Sequence, residues 1–548
     1  MSADPQAHQR RGADAVRAAV AASLAGDLTR AAAVLRVTPQ DVDDVLHAQF
    51  AGGVGEVLTK GLGASPGAAV GQVHFTADAC VAAVDRGELV VLVRDETSPG
   101  DVHGMQVAEG ILTARGGLAS HAAVVARAWG IPAVVGAEGL RIHADHCTVG
   151  RTTVREGDVI SLDGGTGEVV LGERGLAAAE PPAELWRLLT WADEIRAGHL
   201  VVRANADTAA DARRAVELGA EGIGLCRTEH MFLAEDRLQI VRAMILASTP
   251  EREAEALEQL REAQRADFVE ILTVMAGRPV TVRLLDPPMH EFLPSIGELQ
   301  VTAAQRQLTS EEAALLEAAE LWREDNPMLG TRGVRLAVLK PGLYAMQVRA
   351  LLQAAADVAA GGGAPVVEVM VPLTVGREEL ALARRWVEEA LADAAGDGPA
   401  LQVSIGTMIE TPRAALVAGE LAEVADFFSF GTNDLTQMTF GFSRDDVEAR
   451  LVPAYLEAGL LARNPFETLD RPGVGELVQL AVARGRAARP RLKMGVCGEH
   501  GGDPESIRFF QAAGLDYVSC SPYRVPVARL AAAQAVLSAN GTSEEAPF

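Results

Sequence analysis

This sequence is poor in cysteine and in positive charge, and each shortage excludes a class of protein. The five cysteines are an odd number without a CxxC pair, which excludes a disulfide-stapled secreted domain and a structural zinc site. Lysine and arginine total 49 against 74 aspartate and glutamate residues, so a net charge of −25 gives no general attraction to nucleic acid or anionic membranes. Any phosphate site must therefore be built from local groups.

Long apolar segments and aromatic residues are also scarce. No run of about 18 apolar residues occurs, and the polar residues 1–5 are followed by Arg10 and Arg11 rather than by the apolar core of a signal peptide. We therefore expect a cytoplasmic protein without a membrane span. Aromatic residues make up 4% of the chain and hydrophobic residues 49%, so the core must be aliphatic and rich in alanine.

The length and the hydrophobic patterns predict an α/β protein of several domains, because 548 residues exceed one ordinary core. Helical spacing predicts a helical N-terminal segment over residues 1–60. Short strands punctuated by glycine predict a compact α/β domain over residues 61–178, followed by a helical linker over residues 179–198. Residues 199–537 alternate buried strands with helices, and the polar tail at 538–548 is predicted to be disordered.

The alternation over residues 199–537 is typical of a (β/α)8 TIM barrel with insertions. Active sites of such barrels lie at the carboxyl ends of the strands, and polar residues follow most of the strands predicted here. The pattern therefore predicts one polar mouth. The predicted strands are Leu200–Asn205, Gly222–Arg227, Val280–Leu285, Val367–Val371, Val403–Ile409, Phe427–Phe430, Lys493–Cys497 and Tyr517–Cys520.

The stretch from Arg115 to His121 combines several signals of an anion site. A strand-like segment leads into two glycines, Ser120 follows at an N-cap position, and His121 opens a short helix that ends near Gly130. Backbone N–H groups and the helix dipole favour an anion at such a helix start. A lone histidine more often packs or caps a helix, but here the glycines, the cap and the histidine occur together, so a phosphoryl group carried on His121 would lie in a prepared anion site.

Arginines and carboxylates at the predicted barrel mouth suit a small phosphorylated acid. Arg283 and Arg332 can each form paired hydrogen bonds to phosphate or carboxylate, and Arg227 is a weaker third candidate. Glu410 and Asp434 end neighbouring strands with only oxygen donors nearby, a set that favours Mg²⁺. The alternative is that both are structural carboxylates bonded to backbone amides.

Cys497 ends the seventh predicted strand, beside Gly498, Glu499 and His500. From composition alone it fits a small buried core residue. As a polarised thiol at the barrel mouth, it could instead give a proton to the methylene carbon of an enolate. The sequence leaves both interpretations open.

Together these motifs resemble the pyruvate phosphate dikinase family of phosphoenolpyruvate-utilising enzymes, from about residue 12 to residue 537. The loop around His121 resembles the phosphohistidine loop shared by these dikinases, phosphoenolpyruvate synthase and enzyme I of the sugar phosphotransferase system. The barrel motifs at 224–232, 283–294 and 495–503 resemble the dikinases specifically. The resemblance implies a swivelling phosphohistidine domain, a TIM barrel and a phosphotransferase that interconverts phosphoenolpyruvate and pyruvate.

The resemblance also implies roles for the matching positions. His121 would be the phosphorylated histidine, Cys497 the proton donor, and Glu410 and Asp434 the ligands of Mg²⁺. Phosphoenolpyruvate and pyruvate would be the substrates, and the protein would form a homodimer through the barrel. The implied substrate-binding residues are Arg283, Arg332, Glu410, Gly431, Thr432, Asn433 and Asp434.

The dikinase family places an ATP-grasp nucleotide-binding domain before the phosphohistidine domain, and here only helices that resemble its trailing end precede that domain. We therefore expect the ATP half-reaction to need a missing domain or a separate ATP-grasp protein. The alternatives are an enzyme I-like phosphoenolpyruvate–protein phosphotransferase and a non-catalytic phosphoenolpyruvate-binding regulatory protein. The 53 positions between Gly67 and His121 leave no room for the carrier-binding domain of enzyme I, and an intact set of site residues argues against a catalytic relic.

Overall fold

The structure, a computed structural model, confirms the predicted fold class, a mixed α/β chain with an eight-stranded parallel barrel. Among the helices it describes, none is long and apolar enough to cross a membrane. The described residues are 5–47, 49–50, 57–97, 101–117, 120–137, 139–143, 145–177, 181–233, 235–394, 401–448 and 451–539.

The chain begins with three helices, and the third shows why the sequence starts a helix where it does. They are α1 (Pro5–Ala25), α2 (Arg30–Arg36) and α3 (Pro39–Leu46). The Thr38 hydroxyl accepts a hydrogen bond from the backbone N–H of Asp41, and the Asp41 carboxylate accepts one from the N–H of Thr38. This reciprocal pair is a capping box, with Pro39 at the first helical position.

The next region is a sandwich around an eight-stranded sheet of order β2-β12-β11-β4-β5-β6-β7-β3. Helices α4, α5 and α6 cover one face, and the antiparallel strands β8 to β10 cover the other. Its elements are β1 (Gln49–Phe50), β2 (Val57–Lys60), β3 (Leu62–Ser65), β4 (Ala68–His74), α4 (Ala77–Asp85), β5 (Val90–Arg94), α5 (Val102–Val107), β6 (Gly110–Thr113), α6 (His121–Trp129), β7 (Ala133–Val135), β8 (Leu140–Ile142), β9 (His146–Val149), β10 (Thr152–Arg155), β11 (Val159–Asp163), β12 (Glu168–Leu171) and β13 (Leu176–Ala177).

The chain enters and leaves this sandwich through adjacent strands. β1 pairs with β13 in a short antiparallel ribbon, in which Gln49 lies opposite Ala177 and Phe50 lies opposite Leu176. β2 pairs with β12, so the sheet begins before residue 61, inside the segment predicted to be helical. The helices of that segment end at Leu46.

The barrel consists of β14 to β21, with β21 closing back on β14. The eight predicted strands are therefore confirmed, with ends that shift by at most two residues. The elements are α7 (Ala183–Arg196), β14 (Val201–Asn205), α8 (Ala209–Glu217), β15 (Ile223–Arg227), α9 (Glu229–Leu233), α10 (Glu235–Ile245), α11 (Pro250–Val274), β16 (Pro279–Arg283), α12 (Ile296–Gln305), α13 (Ser310–Leu321), α14 (Val334–Leu339), α15 (Pro341–Ala360), β17 (Val366–Val371), α16 (Arg377–Ala394), β18 (Gln402–Ile409), α17 (Pro412–Leu416), α18 (Ala418–Ala422), β19 (Phe427–Phe430), α19 (Thr432–Phe440), α20 (Arg444–Val447), α21 (Leu451–Glu457), α22 (Glu476–Ala488), β20 (Lys493–Val496), α23 (Pro504–Ala512), β21 (Tyr517–Cys520) and α24 (Val525–Ala539).

The N-terminal helices pack mainly on the helices that flank the barrel. Apolar side chains of α1 to α3 share one buried cluster with α7 and α24. The buried amide of Gln534 on α24 donates hydrogen bonds to the carbonyl oxygens of Val34, at 2.9 Å, and Val37, at 2.8 Å. α24 extends to Ala539, and the rest of the tail predicted to be disordered lies outside the described residues.

A buried network of charged groups lies in the barrel interior below the mouth. The Glu368 carboxylate accepts hydrogen bonds from Arg203, at 2.8 Å, and from the Thr281 hydroxyl, at 2.7 Å, and also contacts Lys493. The Arg203 guanidinium lies 4.3 Å from the ring centroid of Tyr517. Burial alone would raise the pKa of Glu368, but Arg203 and Lys493 lower it to about 2.

Arg203→Met should lower the free energy of unfolding by about 3 kcal/mol at neutral pH, because it removes one partner of a buried ion pair. In the wild type, this stabilisation is complete above the ordinary glutamate pKa of 4.5 and is lost as the pH falls towards 2. Denaturant unfolding measures both effects. The control is Arg377→Met, which breaks an exposed pair with Glu423. Equal losses of unfolding free energy in Arg203→Met and Arg377→Met would contradict a stabilising role for the buried ion pair.

Candidate active site

Asp286 lies at the centre of the barrel mouth and holds two arginines together. Its side chain is almost fully buried, and it pairs with Arg283 at 2.9 Å and with the Nε of Arg332 at 3.1 Å. Arg332 also reaches the Oδ2 of Asp434, at 3.1 Å. The structure thus brings Arg283, Arg332 and Asp434, all predicted from the sequence, into one contiguous cluster.

Glu229 fixes the other side of this cluster. It lies two residues after the end of β15, and its carboxylate accepts hydrogen bonds from Arg283, at 2.7 Å, and from the backbone N–H of Asp286, at 3.2 Å. Neither Glu229 nor Asp286 was predicted as a site residue, although both follow barrel strands closely. Arg227, the weaker candidate, is the last residue of β15. Its backbone N–H donates a hydrogen bond to the side chain of Asp207 at 2.6 Å.

Glu410 is buried at the end of β18, and one of its oxygens accepts a hydrogen bond from the backbone N–H of Leu373, at 2.6 Å. Leu373 has a φ of 59°, a left-handed conformation that a leucine rarely adopts, so the turn after β17 is held in a strained shape that aims this N–H at Glu410. Burial, Asp286 and Asp434 raise the pKa of Glu410, because each disfavours the carboxylate.

The predicted run from Gly431 to Asp434 follows β19 and begins α19. A Cβ on Gly431 would lie 2.6 Å from the Oε2 of Glu410, so only glycine fits there without displacing that carboxylate. The Asn433 side-chain oxygen accepts a hydrogen bond from the N–H of Glu499 at 3.0 Å, and the Thr432 hydroxyl lies 2.8 Å from the Nδ1 of His500. These contacts tie the ends of β19 and β20 together.

Cys497 follows β20 directly and is almost fully buried, with its Sγ 3.8 Å from the carbonyl oxygen of Phe430. The carbonyl oxygen of Cys497 accepts a hydrogen bond from the Asn205 amide at 3.1 Å. Burial raises the pKa of the thiol to about 11, so the group keeps its proton at neutral pH. In the barrel interior Cys497 packs with Leu225, Met370, Met408 and Phe427.

The loop before His121 has the geometry that the sequence predicts for a helix start. Ser120 is the N-cap of α6, its hydroxyl accepts from the N–H of Ala123 at 3.4 Å, and His121 is the first helical residue. Gly116 has a φ of 109°, a conformation that glycine adopts without strain in the turn before the cap. Residues 118 and 119 lie outside the described residues.

The donor set at the mouth fits a divalent cation that takes most of its ligands from elsewhere. Glu410 and Asp434 are the carboxylates that could supply oxygen ligands, and their mutual repulsion contributes to the raised pKa of Glu410. Within the described ranges, no group of three or more His, Cys, Asp or Glu side chains is arranged to hold a metal ion. Two hard oxygen ligands completed by substrate and water suit Mg²⁺ better than softer metals.

Gly431→Ala should lower the free energy of unfolding by about 1–3 kcal/mol, because the added methyl group would overlap the buried Glu410 carboxylate. Thermal unfolding measures the loss. The matched control is Gly419→Ala, where the nearest atom would lie 3.5 Å from the new Cβ, an ordinary contact. Equal unfolding temperatures for the two variants would show that Glu410 is not held against Gly431.

Family models of known proteins match both the barrel and the sandwich. The family model described as "PEP-utilising enzyme, PEP-binding domain" matches residues 183–537, and the one described as "PEP-utilising enzyme, mobile domain" matches residues 87–167. PEP here is phosphoenolpyruvate. The first match covers the barrel and its flanking helices α7 and α24, and the second covers most of the sandwich, including the loop and helix of His121.

Three curated relatives are about half identical to this chain. They are pyruvate, phosphate dikinase 1 of Arabidopsis thaliana (50% identity over 97% of this chain), pyruvate, phosphate dikinase of Rhizobium meliloti (49% over 98%) and pyruvate, phosphate dikinase 2 of Zea mays (51% over 96%). The matched regions make up 56%, 60% and 60% of those proteins. The chain belongs to the family of phosphoenolpyruvate-utilising enzymes, with the mobile domain and the phosphoenolpyruvate-binding domain that characterise it.

Proposed function

We propose that this chain transfers a phosphoryl group between phosphoenolpyruvate and His121, as part of a pyruvate phosphate dikinase reaction. The observation that carries the proposal is the convergence of Arg283, Arg332, Glu410 and Asp434 on one mouth at the carboxyl ends of the barrel strands. The similarity to the dikinases over almost the whole chain supports the same reaction.

Arg283 and Arg332 would bind the phosphate and carboxylate of the substrate. Both guanidinium groups are held by Asp286, and Glu229 holds Arg283 from the other side. Donors that are fixed before the substrate arrives need little reorganisation as charge develops, and this is the main source of electrostatic catalysis. Asn433, Thr432 and Gly431 would shape the opposite wall of the substrate site.

Glu410 and Asp434 would hold Mg²⁺. When bound, the ion would stabilise negative charge on the enol oxygen and on the phosphate. Glu410 is kept in place by the N–H of Leu373, and Asp434 by the amide of Gln437 at 3.1 Å. These two contacts orient the carboxylates.

The reaction needs one bond exchange and one proton. The bond between phosphorus and the enol oxygen of phosphoenolpyruvate breaks as a bond from phosphorus to a ring nitrogen of His121 forms. The enolate left behind takes a proton on its methylene carbon from the Cys497 thiol and becomes pyruvate, and the thiolate regains a proton from water. A thiol whose pKa is raised to about 11 holds the proton that this step requires.

His121 lies on the sandwich and the substrate on the barrel, so the complete cycle would involve movement between the two. The ribbon of Gln49–Phe50 with Leu176–Ala177 is where both chain connections run side by side, and we place the hinge there. The ATP half-reaction would occur on an ATP-grasp domain, on the same polypeptide or on a separate protein. We also propose that two copies of the chain form a homodimer through their barrels.

Phosphoenolpyruvate labelled on phosphorus tests the function directly. With Mg²⁺, we expect label on His121 together with a stoichiometric amount of pyruvate, and we expect no label in His121→Ala or when Mg²⁺ is chelated. Mass spectrometry of the phosphopeptide and an enzymatic pyruvate assay give the two readouts. An unlabelled wild-type protein that still binds phosphoenolpyruvate would support the binding-only alternative. Label that passes only to a small carrier protein would support the enzyme I-like alternative.

Cys497→Ala should retain phosphohistidine formation but release pyruvate at least about 100-fold more slowly, because the enolate loses its proton donor. Rapid-quench measurement of phosphohistidine and of pyruvate separates the two steps. Cys520→Ala is the matched control, since Cys520 is equally buried at the end of a barrel strand and has a pKa raised to about 12 by burial. If Cys497→Ala releases pyruvate at the control rate, Cys497 is a core residue only.

A further inference from the structure

The turn Pro522–Arg524, which follows the last barrel strand, contacts the end of the helix that carries His121. Gly130 ends this helix, α6, in a left-handed conformation with a φ of 68°. A Cβ at Gly130 would lie 2.6 Å from the ring carbons of Tyr523. The backbone of Gly130 therefore packs directly on the aromatic ring, and a larger residue would not fit.

A second contact lies at the other end of the same segment. Gly117, four residues before His121, is buried, and a Cβ there would lie 3.1 Å from the carbonyl oxygen of Glu448 on the barrel. Glu448 is itself buried and is bonded to Arg444 and to Asn464, both at 3.1 Å. Barrel atoms thus lie close to the chain both before and at the end of α6, a helix of nine residues.

Charged groups of the barrel also face α6 beside these two contacts. Arg127, on α6, donates a hydrogen bond to the carbonyl oxygen of Ala64 within the sandwich, at 3.1 Å. Burial lowers the pKa of Arg127, and the barrel carboxylates Glu499 and Glu467 oppose that shift. The barrel arginines Arg444 and Arg524 act in the opposite direction, so barrel groups of both charge signs face Arg127.

We infer that Gly130 and Tyr523 form a docking contact that holds α6 on the barrel, which makes them positioning residues for phosphoryl transfer to His121. The inference rests on the proposed function, but the contact itself can be tested without it. Tyr523 is supported from the barrel side, where the Arg214 guanidinium lies 5.7 Å from its ring centroid. A docked state that depends on this contact loses population when the contact is blocked.

Gly130→Ala tests the contact by adding one methyl group against the Tyr523 ring. We expect single-turnover phosphorylation of His121 by phosphoenolpyruvate to slow about tenfold, with the affinity for phosphoenolpyruvate unchanged, since only the docked fraction falls. Gly150→Ala is the matched control, because Gly150 also has a positive φ, of 59°, but no atom lies within 4 Å of its Cβ position. The control carries the backbone strain without the steric block.

Tyr523→Ala supplies the second arm. If both substitutions disrupt the same contact, the double variant that carries Gly130→Ala and Tyr523→Ala should phosphorylate His121 no more slowly than Tyr523→Ala alone. Additive losses would show that the two residues act independently and would overturn the inference. Thermal unfolding of all variants, compared with Gly150→Ala, identifies any loss that comes from stability alone.

Double electron–electron resonance between two spin labels measures the distance between the sandwich and the barrel, and it needs no substrate. The five native cysteines are buried, so labels can be directed to Arg155→Cys on the sandwich and Leu321→Cys on the barrel, both exposed sites. Gly130→Ala should broaden the distance distribution and shift it away from that of wild type and Gly150→Ala. Unchanged distances would overturn the docking inference, whereas a wild-type protein that docks but takes no label from phosphoenolpyruvate would contradict only the proposed function.

Discussion

The buried pairing of Asp286 with two arginines is the interaction on which the barrel mouth depends. Removing a charged group from water costs several kcal/mol unless a partner and further hydrogen bonds compensate. Asp286 meets Arg283 on one side and Arg332 on the other, and Glu229 and Asp434 occupy the outer positions of the two guanidinium groups. A small anion could enter this arrangement without the protein having to assemble its cationic groups first.

The same mouth also relies on backbone groups and on glycine. The N–H of Leu373 holds Glu410, and Gly431 leaves space that the Glu410 carboxylate needs. On the sandwich, the glycine at 116 and the cap at Ser120 prepare the start of α6, and Gly130 lets its end approach Tyr523. The barrel and the sandwich thus meet where the sandwich backbone lies close to barrel atoms. A movement between the two regions could make and break these contacts.

Much of this architecture could be predicted because its signals are local. The eight barrel strands are short buried runs at regular spacing, and Ser120 before His121 is a recognisable cap. The antiparallel strands β8 to β10 are not among the strands predicted from the sequence, since each is only three or four residues long. Glu229 could have been found, because it lies two residues after a strand end, but nothing about a leucine at position 373 signals a contribution through its backbone.

The sequence by itself determined the order of the barrel strands, the helix start at His121 and the placement of polar residues after barrel strands, because each depends on neighbours a few residues away. Only the tertiary structure decided which charges pair. Arg332 meets Asp286 across 46 positions and Asp434 across 102, and Tyr523 reaches Gly130 from the opposite end of the chain. Such contacts depend on how the closed barrel and the docked sandwich bring distant segments together, and no local pattern records that geometry.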